Sequence, residues 1–534
     1  MYCETYKNTF AVDILEYFGL IKLYDGFEST LNNVCANKKE IQHLSILNNE
    51  AEMALTSSIE RDNSKDPFLV EFDGPDDPEH PHNWSAIKTT VVVCNIMLLT
   101  CITYMGSSFY TPGQDMLQKE FHVGHVVGTL NLSLYVLGYG LGPLVFSPLS
   151  EFAIFGRQRL FIITLFLFCM LQIGCALVRN IAGLIILRFL AGVLCSPSLA
   201  TGAACVGEVV RPHHIPIFIG LWSIGAVAAP ASGPLLGASM LVAKNWRFMF
   251  WLLMWMSAAT LLLLVFFLPE TNEDNILYRR CKRIREATGD TRYYTRKSQE
   301  ESKLTFADIA FNSLYRPFEI IIKEPIVLAL NTYHALCYGV FYLFFEAFPI
   351  VFLGIYHFTA VELGLSYMGF CVGCILAYLV ALTFFLYYIP NKIANQSFIP
   401  ETFLMLSIWV CWTLPLALFL FGWAASVHWI LPVLSEAFFM IGQFNLFQSI
   451  FSYLAVSYPK YMASVFAGNN VCRAGFACAF PLFGQAMYEN LGIDGFPVGW
   501  GSSLVGFFSI ALAVIPFLLY KYGPYLRKRS SFTG

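Results

Sequence analysis

Residues 220–238 read GLWSIGAVAAPASGPLLGA. Apart from Trp222 and a few aliphatic side chains, the stretch is Gly, Ala, Ser and Pro. In water such a helix would be poor, because Gly and Pro lower helix stability and little bulk is left to bury. In a bilayer the same composition is useful. Lipid gives no hydrophobic drive for helix pairing, so helices associate where small residues let backbones approach. Ala229, Gly233 and Gly237 recur every four residues and share one stripe. Pro230 and Pro234 free two carbonyls and bend the rod, which neighbouring helices must tolerate. The stretch predicts a membrane helix acting as a hinge-like seam, with Gly220, Pro230, Gly233, Pro234 and Gly237 as its conformational residues.

The rest of the composition agrees. The chain has 534 residues, 57% hydrophobic and 13% charged. Soluble domains carry about 25% charged residues, so a protein with many membrane spans is expected. The net charge of −3 decides nothing about partners. The lipid bilayer is the partner implied, and no nucleic acid is expected. Most of the 15 cysteines lie inside apolar runs, where a thiol is a small hydrophobe. Cys371 and Cys374 form a CxxC with no second pair, so neither a metal nor a cofactor is expected. Asp13 and Glu16 interrupt the apolar stretch TFAVDILEYFGL, which argues against a signal peptide.

Residues 1–87 are polar and acidic and are expected to be largely disordered, with a short amphipathic helix over 8–24. Runs long enough to span follow at 88–110, 125–147, 160–179, 181–205, 214–240 and 247–268. A charged stretch covers 269–325. Six more runs lie at 326–354, 361–389, 402–423, 428–456, 461–488 and 499–521, and 522–534 form a tail. Six runs, a hydrophilic middle and six runs predict an all-α membrane protein of two pseudo-symmetric six-helix bundles, 88–268 and 326–521. Arg157, Arg159, Arg211, Arg279, Arg280, Lys392, Lys460 and Arg527 fall on one set of connections. By the positive-inside rule that set, both termini and the middle loop are cytosolic.

Charges inside spans need a reason, because each costs about 2.5–3.5 kcal/mol near mid-membrane on insertion scales. Arg188 lies deep in the fourth span, with Glu208 near the end of the same helix. In the seventh, His334, Tyr338, Tyr342 and Glu346 recur every four residues, flanked by Phe341, Phe345 and Phe348. A carboxyl framed by aromatic rings suits a flat, weakly polar or cationic ligand, and desolvation suits it to proton exchange. A structural carboxyl bonded to a neighbouring helix is the alternative. Glu436 and Gln443 share a face of the tenth span with Asn445 close by, Asn469 and Arg473 lie four apart in the eleventh, and a Glu436–Arg473 pair would make both burials tolerable, in a structural role or in contact with substrate. Tyr104, Asn131, Tyr135 and Tyr139 are candidates to line the same cavity or to join helices. Glu151, Arg157 and Arg159 suggest a charge latch on the cytosolic rim. His80, His82, His213 and His214 are expected to be solvated.

These residues resemble a known family. SPLSEFAIFGRQR (147–159) is similar to the signature loop of the major facilitator superfamily, and LIILRFLAG (184–192) to its span-four arginine motif. GLWSIGAVAAPASGPLLGA resembles the antiporter motif of span five, LPET (268–271) the close of span six, and DDPEHPHNW (76–84) the lead-in to span one. YMGSSFYTPGQ (104–114), FHVGHVV (121–127), LYRR (277–280), YLFFEAFPIVF (342–352) and PKYMASVFAGN (459–469) narrow the likeness to the fungal twelve-spanner drug:proton antiporters, in their azole- and benomyl-resistance branch. Ala229 and Ala238 stand where the span-five motif prefers glycine.

The resemblance implies a monomeric plasma-membrane exporter of hydrophobic drugs, driven by protons through rocker-switch alternating access, with no cofactor and no enzymatic chemistry. It points to Arg188 for proton transfer. With it, Glu346 is the first candidate proton carrier and Glu208 the second. Tyr338, Tyr342, Phe345, Glu346, Tyr104, Asn131, Tyr135, Glu436 and Gln443 are the candidate drug contacts, and Glu151 and Arg157 join the span-five residues in gating. Gly233→Leu is expected to block transport at normal abundance. Uptake of a sugar or amine is the alternative within the superfamily. A sensor or membrane enzyme is disfavoured by the short segment after residue 521 and by the lack of a catalytic cluster.

Overall fold

The computed structural model describes residues 8–17, 66, 68–211, 214–303, 305, 308, 311–530 and 532. Eleven helices among them are long and apolar enough to cross a membrane. They are α1 (Ala86–Met105), α2 (His125–Glu151), α3 (Arg157–Leu177), α4 (Ile181–Val209), α5 (Ile215–Ala243), α6 (Trp246–Phe267), α7 (Pro325–Leu353), α8 (Ala360–Ala394), α9 (Pro400–Ala424), α10 (Ile430–Ser457) and α12 (Gly499–Arg529). A twelfth long helix, α11 (Met462–Leu491), carries Asn469, Asn470, Arg473, Gln485 and Glu489 and is less apolar. It can be, because it packs between α7 and α2, which buries Asn469, Asn470 and Arg473, while Gln485 is half-buried and Glu489 is exposed near the helix end. Every expected span overlaps one of these helices.

Burial separates central from peripheral helices. In α7, 83% of the apolar window is buried, against 28% in α6, which leaves α6 a largely lipid-facing surface. The two bundles meet along α2 against α11 and α5 against α8. Each contact joins the second helix of one half to the fifth of the other. Small residues make both close: Gly140 lies against Ala474, and Gly220 against Tyr378, where an added Cβ would come 2.8 Å from the ring.

The stripe on α5 packs inside its own bundle. Gly233 and Gly237 face Ser108 and Phe109 just beyond α1, within their own bundle, and a Cβ on Gly237 would strike the Phe109 carbonyl. Pro234 has no N–H and leaves the Pro230 carbonyl without its helical partner. The Ser108 hydroxyl donates to that carbonyl instead. A different face of α5 meets the second bundle, where Pro234 and Leu235 lie against Gly364 and the Cys371 thiol reaches the Ala228 carbonyl. The stripe is therefore a close contact inside one half, and the neighbouring face is the contact between halves.

On the face that carries the central segment, here the basic face, the helix Glu273–Thr288 gathers the chain. Arg280 pairs with Asp73 at 2.6 Å and Asp77 at 2.8 Å, and Arg279 pairs with Asp13 at 2.8 Å. Burial pushes the Asp77 carboxyl up, but the Asp73 and Glu79 amides and Arg280 outweigh it and hold it below its ordinary value. Residues 68–87 are thus anchored, which corrects the expectation of disorder there: their acidic groups have basic partners distant in sequence. Phe10–Tyr17 forms part of the expected amphipathic helix, and residues 18–24 lie outside the described residues. His80 and His82 are also not free in solvent, because both sit near Glu273, at 3.6 and 4.0 Å. His213 lies outside the described residues.

Glu270 closes this face of the first bundle. Fully buried, it accepts N–H bonds from Arg157 at 3.0 Å and Gln158 at 3.3 Å and so caps the start of α3. Gly156, at φ +67°, leaves room for that carboxylate, which a Cβ would overlap. Because the α5 stripe is a close contact inside one half, Gly233→Leu is expected to lower the amount of folded protein in the membrane, measured by surface abundance and size-exclusion profile. Normal abundance with transport alone lost would return the stripe to a moving role.

Candidate functional site

A cavity of about 380 Å³ opens on the basic face between the bundles. Its mouth is marked by exposed Glu151 and Met462 and its walls by Trp222, Phe385, Phe451 and Phe466. Its inner end reaches Arg473 and Phe447. There it meets a recess of about 20 Å³, lined by Tyr104, His334, Tyr338, Phe341, Gln443 and Arg473 among others. A space of that size holds roughly one water.

A layer of hydroxyls closes the route beyond. Tyr139 and Tyr338 share a 2.7 Å hydrogen bond, the Tyr139 hydroxyl donates to Tyr342 at 3.1 Å, and Tyr342 meets Ser107 at 3.1 Å. These bonds join α2 and the end of α1 to α7, hence one bundle to the other. The rings are fully or nearly fully buried, so the layer is both packed and satisfied in hydrogen bonding.

Past this layer lies a second pocket, of about 190 Å³, on the opposite or far face. Glu346 lines it with His125, Gln114, Asp115, Phe345 and Tyr367. Glu346 Oε2 stands 3.2 Å from His125 Nε2, and Thr129 donates to its Oε1 at 3.4 Å. Gln114 donates to Thr129 at 3.0 Å. Glu346 belongs to the second bundle and its partners to the first, so this cluster bolts the bundles together on the far face. Glu346 is thus not in the large cavity, which corrects its expected grouping with the drug contacts, and Phe345 shares its pocket. The periodicity of α7 placed His334, Tyr338, Tyr342 and Glu346 on one face correctly. That face crosses the hydroxyl layer, so its two ends serve different compartments.

Of the other candidates, Tyr104, Tyr338 and Gln443 come together in the recess, and Tyr342 lies in the layer. Asn131 and Tyr135 support the bundle from behind: Asn131 Nδ2 donates to the Gly128 carbonyl at 3.1 Å, and the Tyr135 hydroxyl to that of Thr103. Glu436 is fully buried between α10 and α8, where it accepts the Phe370 amide at 3.2 Å. The expected Glu436–Arg473 pair does not form. Arg473 shares its recess with Gln443, two turns along α10 from Glu436 and so about 10 Å further down the helix.

Arg188 is fully buried and spends its guanidinium on backbone. It donates to the carbonyls of Gly106 at 2.7 Å, Ser107 at 3.0 Å and Asn131 at 3.2 Å, with its plane 4.5 Å from the Tyr135 ring. Two of these carbonyls end α1, where the helix dipole favours a cation. Glu208 pairs with Arg157 at 2.7 Å on the basic face, and Arg159 stands 3.7 Å from Asp13. Among the described residues Glu151 has no basic group within 4.0 Å, so the expected pairing of Glu151 with Arg157 or Arg159 is not formed here. His125, Gln114 and Thr129 were missed in the sequence reading. The one available signal was a titratable side chain opening a span directly after Gly124.

A sequence profile of the Major Facilitator Superfamily matches residues 96–476. The chain is 56% identical to Fluconazole resistance protein 1 of Saccharomyces cerevisiae, with 100% of each chain covered. It is 56% identical to Multidrug transporter FLR1 of Candida glabrata, with 99% of each covered. Among solved structures, the xylose transporter XylE of E. coli, in a partially occluded inward-open conformation, aligns with a TM-score of 0.56 at 13% identity, over 82% of this chain and 98% of that one. At that identity the likeness is one of fold.

The Arg188 geometry makes a prediction separate from any role in transport. Arg188→Lys cannot reach three carbonyls at once, and each buried carbonyl left unpaired costs about 1–3 kcal/mol. Thermal unfolding of the purified variant in detergent should show a clear loss of stability. Unchanged stability with transport abolished would make Arg188 a participant in the transport step and not a strut.

Proposed function

The chain belongs to the Major Facilitator Superfamily, and we propose that it is a proton-coupled exporter of hydrophobic drugs, azoles and benzimidazoles among them, in the fungal plasma membrane. The names of the two relatives, at 56% identity over nearly the whole chain, support the drug-resistance reading. The basic face is assigned to the cytosol, with both termini on that side, and the protein is taken to act as a monomer. Drug enters the aromatic cavity from the cytosol or the inner leaflet and leaves on the far face once the bundles rock.

One observation carries the coupling: the His125–Glu346 contact across the bundles on the side opposite the cavity. A neutral imidazole already carries one N–H, so its Nε2–H tautomer suffices for this bond, and a proton added to the pair turns it into a stronger, charge-assisted one. With the bundles parted on the far face, that gain is lost. A proton taken up from outside therefore favours closing of the far face. The transporter returns to its cytosol-open form with that proton aboard, as an antiporter must. The Tyr342–Tyr139–Tyr338 hydroxyls lead from the turn below Glu346 to the recess and offer the proton a way to the cytosolic cavity before the far face reopens. Glu346 is the carrier in this reading, and Arg188 positions the α1 and α2 ends on which the lock closes. Glu208, held by Arg157 at the cavity rim, remains the second candidate.

The test is efflux of an azole and a benzimidazole from pump-deficient yeast, with and without a protonophore and at outside pH 5 and 7. The chain should export both drugs, faster at pH 5, and lose export with the protonophore. Glu346→Gln and His125→Gln should reach the surface normally and lose the response to outside pH. Wild-type rates and pH response in Glu346→Gln would remove this carboxyl from the coupling.

A further inference from the structure

Arg473 is the buried charge at the inner end of the large cavity. It is 5% exposed, and it lines both the recess and the inner end of the large cavity. Its Nη2 donates to Asn470 Oδ1 at 2.8 Å, its Nε has no partner, and no carboxylate among the described residues lies within ion-pair distance. A guanidinium buried without a counter-charge is costly, and the geometry gives the cost a purpose. Three further orphans line the same recess: the Tyr104 hydroxyl, His334 Nε2 and Gln443 Oε1. Each is at most 4% exposed. Four buried polar atoms without partners converge on one small space at the end of an aromatic cavity.

The rings there are already engaged. The Arg473 guanidinium lies 4.5 Å from the centroid of Tyr338 and 5.7 Å from that of Phe447. A cationic ligand would compete with the protein's own cation for those faces and meet its charge at close range. The other charges along the cavity do not offset this. Arg157 is neutralised by Glu208, and Glu151 stands exposed at the far mouth, where solvent and salt screen it. The expectation from α7 alone was a carboxyl that welcomes cations, but Glu346 lies beyond the hydroxyl layer, in the far-face pocket.

We propose that Arg473 makes the recess a receptor for ligands that present a hydrogen-bond acceptor, neutral or anionic, and that it excludes lipophilic cations from the cavity. The Tyr104 hydroxyl donates to the same acceptor, whereas Gln443 Oε1 and His334 Nε2, whose ring Nδ1 faces Asn469 Oδ1 at 3.1 Å, are themselves acceptors and take a donor on the ligand. This rests on the exporter reading only in taking the cavity as the place where drug binds.

The experiment uses two dyes on one xanthene frame that differ in charge, fluorescein (anionic) and rhodamine 123 (cationic), titrated against the purified full chain in detergent and followed by anisotropy. Fluorescein should bind at least about tenfold more tightly than rhodamine 123. Arg473→Gln should erase that preference and gain affinity for the cation, a gain that a misfolded protein cannot produce. Arg473→Lys should keep the preference. Equal binding of the two dyes by the wild type, no binding of either, or a preference unchanged in Arg473→Gln would overturn the proposal. Binding selectivity as predicted with no drug efflux from cells would instead sink the exporter reading and leave the recess standing.

Discussion

The His125–Glu346 contact is the one polar bond on which this conformation turns. At 3.2 Å it ties α2 to α7 on the far face, with Thr129 and Gln114 behind it. Because the bundles are joined there, the space between them is displaced to the basic face, where the large cavity opens. The hydroxyl layer of Tyr139, Tyr338 and Tyr342 lies between lock and cavity and keeps them from becoming one channel. A transporter that carries protons and drugs in opposite directions needs that separation.

Rocking of this kind requires each bundle to be stiff. The first bundle achieves it with backbone contacts that side-chain motion cannot loosen. Arg188 binds three carbonyls from α2 and the end of α1, Ser108 takes the carbonyl that Pro234 leaves free, and Glu270 caps α3. Gly233 and Gly237 let α5 lie against the chain just beyond α1 without intervening side chains. Contacts between the bundles are of another kind. Apart from the His125–Glu346 lock, they pass through rings, small residues and a few hydroxyls, which can part without leaving a buried charge bare.

What the sequence disclosed and what it withheld divide along physical lines. Span number and length were readable because bilayer thickness sets them, and even α11, too polar to pass as apolar, fell in place as the twelfth. The small-residue composition of α5 was readable as close packing, but nothing local says which neighbour it packs on. The face of α7 was readable from its four-residue period, whereas the level at which that face crosses from cavity to far pocket depends on the tyrosines of α2. The pairing of Glu436 with Arg473 followed from charge alone and failed, because Glu436 lies two turns of α10 away from the recess and turns one oxygen to a backbone amide on α8, leaving the other without a partner. The acidic lead-in read as disordered because its partner, Arg280, lies about two hundred residues away.

The account stands on the claim that closing the far face takes up a proton. The most direct measurement is the distance across that face, between paramagnetic labels at Met116 and Ile493, both exposed and on opposite bundles, in the purified protein without drug. Acidifying from pH 8 to pH 5.5 should shift the distance distribution toward the short, closed population, and Glu346→Gln should abolish the shift. A distribution that ignores pH, or that lengthens as pH falls, contradicts it.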